Sequence, residues 1–212
     1  MTPDPALLEI ISGSLRSDLR PVRPLPPTWA MTAALFALFA AAALFGAMWL
    51  SFAGFNRLSS TAVAAIFSSL AVLALLAAAA AASAMVPGSS RWFHPAAVPV
   101  AACLVMAGVF SFVFPDHHMG RFVHDGIVCL KAGILWAAPA AVGAWVILLR
   151  GFAVDRGAAG IALGTFAGLA GVAVLELHCP NFHLPHVIVW HLAVLPIAAL
   201  VGQALLYSTR KS

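Results

Sequence analysis

The sequence predicts an all-α fold: a polytopic integral membrane protein built as a six-transmembrane-helix bundle. Three observations predict it. The chain is 63% apolar and only 8% charged, with a mean hydropathy of +1.01. A soluble domain carries about 25% charged residues, so this chain has too few to cover a water-facing surface. Its apolar residues fall into six separate stretches, each near the ~20 residues that cross a bilayer, and the connections between them hold most of the charges and several prolines.

The first 28 residues form a polar, proline-rich segment. Within it Leu7, Leu8, Ile11, Leu15 and Leu19 recur at helical spacing, so one face is apolar. Pro21, Pro24, Pro26 and Pro27 then end any helix before the membrane. Such an amphipathic helix suits a partner's groove, and it equally suits lying on the lipid surface.

The transmembrane domain is expected over 29–207, with spans at about 29–52, 60–86, 95–114, 126–149, 157–177 and 187–207, followed by a short tail at 208–212. The first span is longer than the about 7 to 15 apolar residues of a signal-peptide core, so it is expected to stay in the membrane. Short connections make neighbouring spans antiparallel and put both termini on one side. With that side cytoplasmic, eight Lys and Arg fall inside (Arg16, Arg20, Arg23, Arg91, Arg150, Arg156, Arg210 and Lys211) and only Arg57 and Arg121 outside. The net charge of +4 is small and scattered, so no direct nucleic-acid contact is expected; the lipid bilayer is the expected surroundings. In the fifth span Gly160, Gly164 and Gly168 repeat every four residues, a spacing that lets helix backbones approach closely within one chain.

Topology sorts the histidines. His94 falls inside; His117, His118, His124, His178, His183 and His186 fall in two outer connections, and His191 lies about one turn into the sixth span from the same side. Cys179 adjoins His178, and Cys129 lies at the outer start of the fourth span. Thiolates and imidazoles are ligands for zinc and copper, so Cys129, Cys179, His178 and His191 are candidate ligands for a soft or borderline ion such as copper, zinc or cadmium. Alternatively, Cys129 and Cys179 could pair as a disulfide in an oxidising compartment. Cys103, mid-span, is expected to pack as a small apolar residue. Lys131 and Glu176 are expected to form a structural ion pair near the outer face. There is no nucleophile-and-base motif, phosphate loop or dinucleotide fingerprint, and no enzyme activity is expected.

Taken together, several motifs resemble one known family. They are Ser17-Asp18-Leu19-Arg20-Pro21-Val22-Arg23-Pro24-Leu25, Cys129-Leu130, Leu177-His178-Cys179-Pro180 and Val189-Trp190-His191. The chain is similar over nearly its full length to the NrsF-like family of bacterial six-span membrane anti-sigma factors. The resemblance implies a negative regulator in the inner membrane that holds an extracytoplasmic-function (ECF) sigma factor on the cytoplasmic side. It implies partner contacts at Leu8, Ile11, Leu15, Asp18, Leu19, Arg20 and Arg23, and sensing of metal or oxidant at Cys129, Cys179, His178 and His191. After the His-Cys-Pro motif the family pattern is acidic, whereas this chain has Asn181, Phe182 and His183; His183 and His186 add to the candidate ligand set. The alternatives are a metal-binding or redox-active membrane protein without a sigma partner, or a small transporter.

Overall fold

A computed structural model describes residues 4–6, 9, 12–14, 24–88, 94, 96–117, 121–149, 151–153 and 155–208. The seven partner-contact residues named above lie outside the described residues, as does His118. Among the described residues there is no strand. Six long helices follow in order: α1 (Thr28–Leu50), α2 (Ser60–Ala84), α3 (Ala97–Val113), α4 (Phe122–Leu148), α5 (Arg156–His178) and α6 (Leu184–Ser208). Five are long and apolar enough to cross a membrane. The exception is α3. Its 17 residues span roughly 26 Å at 1.5 Å per residue, a little short of the ~30 Å hydrocarbon core.

Three of the helices have a clear local start. Pro27 in extended conformation opens α1. The Ser59 side chain accepts from the Ala62 N–H at 3.2 Å to cap α2, and the Asp155 carboxylate accepts from the Ala158 N–H at 3.0 Å to cap α5. The buried stripes recur every three or four residues: Met31, Leu35, Phe39, Ala43 and Ala47 on α1, Val98, Ala102, Met106 and Phe110 on α3. The opposite faces are also apolar, carrying exposed Leu44, Phe45, Met48, Leu104, Phe112 and Leu135. A surface of this kind suits lipid rather than water.

α5 is the axis of the bundle. It is buried on all sides along nearly its whole length, packing most extensively against α6, then α4, α2 and α1. Its small residues make that possible. A Cβ at Gly164 would collide with the Ala198 carbonyl, and one at Gly202 with the Gly160 carbonyl. The glycine stripe is thus spent inside the chain, where α5 and α6 meet backbone to backbone.

α6 is irregular near its start. A turn at Leu184–His186 leads into a π-helical turn, Val187–His191, in which the Leu192 N–H donates to the Val187 carbonyl at 3.3 Å. Pro196 lacks the N–H that would continue the α ladder to Leu192, so regular helix resumes only at Val194–Ser208. The connections that follow α1, α3 and α5 gather at one end of the bundle. Gly54 N–H donates to the His178 carbonyl at 3.1 Å and Leu184 N–H to the Asp116 carbonyl at 2.7 Å.

Candidate metal and thiol site

At that end, four side chains from three helices converge. α5 stops at His178 because Pro180 forces the preceding residue out of helical conformation. Cys179 is accordingly extended, at φ −72° and ψ 120°, and is buried. Its Sγ lies 3.4 Å from the Sγ of Cys129 on α4 and 3.7 Å from Nε2 of His186. The cysteines are free. His186 and His191 meet edge to face with ring centroids 5.2 Å apart. Residues five apart on a regular α-helix point about 140° apart, so the π turn is what brings these two imidazoles onto one face.

One ligand atom from each of Cys129, Cys179, His186 and His191 lies within 4.8 Å of the others. A tetrahedral centre with roughly 2.3 Å metal–sulfur and about 2.0 Å metal–nitrogen bonds has edges of roughly 3.4–3.8 Å. The observed S···S and S···N separations already have that size. At this end of the bundle are also buried polar atoms with no hydrogen-bond partner among the described residues: Glu176 Oε2, His186 Nδ1, Trp190 Nε1 and His191 Nε2. Each such atom costs about 1–3 kcal/mol when left unpaired. Two thiols, two imidazoles and an orphaned ring nitrogen fit a borderline or soft cation in a closed four-ligand site.

The Cys179 thiol is held above its ordinary pKa, first by its hydrogen bond with Cys129 and then by burial; His186 and His191 act in the opposite direction. Thiol rather than thiolate is therefore its resting form, and a metal would have to displace the proton.

The other candidate ligands are engaged elsewhere. His178 Nδ1 is 3.2 Å from Ser51 Oγ, and His183 Nδ1 is 3.0 Å from Asp116 Oδ2. His183 sits beside a stacked pair, Phe114 and Phe182, at 5.1 Å, which ties the α3–α4 and α5–α6 connections together. His117 is exposed and His124 is bonded to Asp125. Cys103 is half-buried on α3, packed against the core.

The expected ion pair of Lys131 with Glu176 is corrected. Glu176 bonds to His191, Oε1 to Nδ1 at 2.6 Å, with both side chains essentially fully buried. Lys131 is exposed. The reason is rotational: two residues along a helix are about 200° apart, so if Cys129 faces Cys179, Lys131 faces away. The sequence did carry a signal for the true pair. Glu176 and His191 are ionisable residues in two spans at similar depth, and such groups need each other.

The family assignment rests on a match of nearly the whole chain. A family model described as NrsF, negative regulator of sigma F, matches residues 15–209. The chain belongs to this family. No curated protein and no solved structure matches it. Family membership makes it a negative regulator of a sigma factor, with a sigma factor as partner, carried on a helical membrane bundle.

Proposed function

We propose that the chain is an inner-membrane anti-sigma factor with cytoplasmic termini. It holds an ECF sigma factor through residues 1–28 and releases it when a metal or oxidant engages a thiol and imidazole site on the outer side. The observation that carries the sensing half is the approach of Cys129 and Cys179 to 3.4 Å, from α4 and from the end of α5, against His186 and His191. The excess of Lys and Arg at the other end supports the orientation.

The chemistry takes two forms at one place. A copper, zinc or cadmium ion would replace the thiol protons and be held by Cys129, Cys179, His186 and His191. A two-electron oxidant would instead remove both thiol hydrogens as two protons and two electrons and leave a disulfide. The metal would draw α4, α5 and α6 together at their shared end, and the disulfide would join α4 to the end of α5. Regulation requires that sigma-bound and sigma-free states differ in affinity for the signal. His178 and His183 serve in this reading as supports for the surrounding connections, through Ser51 and Asp116.

The test is co-purification of the sigma factor with the full chain from membranes. Removal of residues 1–28 should abolish it, and copper, cadmium or diamide should elute the sigma factor from wild type. Retention by the truncated chain would refute the partner assignment. Elution from Cys129→Ser/Cys179→Ser would refute the sensing assignment.

A further inference from the structure

We infer that Glu176 is a positioning residue for metal, fixing His191 so that its Nε2 is the ligand atom facing the two thiols. The inference rests on reading Cys129, Cys179, His186 and His191 as a metal centre.

The argument begins with cost. Glu176 is 0% exposed, deep on the axial helix, where a carboxylate is expensive unless its oxygens are occupied. One oxygen is occupied by His191 Nδ1 at 2.6 Å; the other has no partner. A carboxylate accepts hydrogen bonds, so Nδ1 carries the ring proton. That leaves His191 Nε2 as the ring nitrogen open to a metal, and it too is buried with no hydrogen-bond partner among the described residues. The pair is therefore incomplete as a structural ion pair and complete as an oriented ligand. Carboxylates bonded to the far nitrogen of a metal-binding imidazole fix its tautomer, hold its plane and raise its basicity.

The placement is economical. Glu176 lies in the last turn of α5 and Cys179 directly after its end, so three residues of chain join the orienting group to one thiol. His191 ends the π turn that also carries His186. α5 is fixed by burial on all sides, so Glu176 cannot drift from the thiol it accompanies.

The experiment uses the full chain in detergent with cobalt(II) as probe. Wild type should bind one ion with the ligand-field bands of a tetrahedral sulfur and nitrogen site. Glu176→Gln should weaken binding by about 10–100-fold and shift those bands, with far-UV circular dichroism unchanged. In a His191→Ala background the same Glu176→Gln change should alter affinity no further. Wild-type affinity in Glu176→Gln, or an equal loss in both backgrounds, would overturn the inference. A second measurement needs no variant: nitrogen-15 shifts of the zinc-loaded wild type should show His191 coordinated through Nε2 and protonated on Nδ1, and coordination through Nδ1 would overturn it.

The sigma factor is followed in the same samples. Metal-driven release with a normal Glu176→Gln site defeats the inference and leaves the regulatory reading standing. Metal bound as expected without release supports the inference and defeats the regulatory reading. A wild-type chain that binds no cobalt, zinc or cadmium defeats the metal reading and the inference together.

Discussion

Replacing His191 with phenylalanine strands a carboxylate. Glu176 and His191 are each 0% exposed, and a 2.6 Å bond joins the ring to the carboxylate. Removing one partner of a buried pair costs about 3–5 kcal/mol, because the other charge stays behind uncompensated. Glu176→Leu leaves a buried imidazole nitrogen unpaired and should cost about 1–3 kcal/mol. The double variant, His191→Phe/Glu176→Leu, replaces both with apolar groups of similar volume and should lie near wild type, since such exchanges are often neutral. The coupling between the two sites should therefore be about 4 kcal/mol or more. For a chain of this length 1 kcal/mol corresponds to roughly 2–4 °C, so His191→Phe should lower Tm by roughly 6–20 °C and the second substitution should restore most of it. The assay is thermal unfolding of the metal-free chain in detergent at a fixed scan rate, followed by circular dichroism. A double variant as unstable as the sum of the two singles would refute the pairing.

Other expectations follow from single contacts. Diamide should convert Cys129 and Cys179 into an intramolecular disulfide, read by mass spectrometry as the loss of two hydrogens, and Cys103→Ser should not change it; cross-linked dimers would contradict the 3.4 Å geometry. Iodoacetamide should modify Cys179 more slowly than an ordinary thiol at about pH 8, because a raised pKa leaves less thiolate at that pH. The midpoint of its rate–pH profile should lie above that of an ordinary thiol, and a midpoint at the ordinary value of about 8.5 would refute the shift. Gly164→Leu drives a side chain into the Ala198 backbone and should destabilise by more than the about 1–3 kcal/mol of ordinary overpacking, measured as lost folded yield. Gly54→Ala places a Cβ 2.6 Å from the Cys179 carbonyl, which should displace the α1–α2 connection and speed alkylation of Cys179.

The bundle was legible because lipid imposes one rule on every span: about 20 apolar residues with their backbone bonds satisfied internally. The same rule hides which face of a span looks inward, since both faces are apolar. That is why the sequence suggests Lys131 as the partner of Glu176 and hides His191. The thiols and His191 could be assigned to one end from topology alone. His186 could not be ranked above His178, because that choice depends on two local events. Pro180 turns the chain so that Cys179 points inward while His178 meets Ser51, and the π turn rotates His186 onto the face of His191. Neither rotation has a period that a sequence pattern reveals. The glycine stripe was legible as close packing, and its partner, the stretch from Ala198 to Gly202, became evident only in three dimensions.

The α1–α2 connection has a bearing on rates rather than affinities. Gly54 lies against the carbonyls of Glu176 and Cys179 with no room for a side chain, and Arg57 Nη1 donates to the Pro180 carbonyl at 3.4 Å. The connection packs over the chain at Cys179, whose thiol is buried, while Cys129 is partly exposed. For metal that enters past this connection, loading waits for it to lift. Uptake should level off at high metal concentration, at a ceiling set by how often Ser51–Ser59 opens, so the delay before a response would be written into a hinge rather than into the ligands.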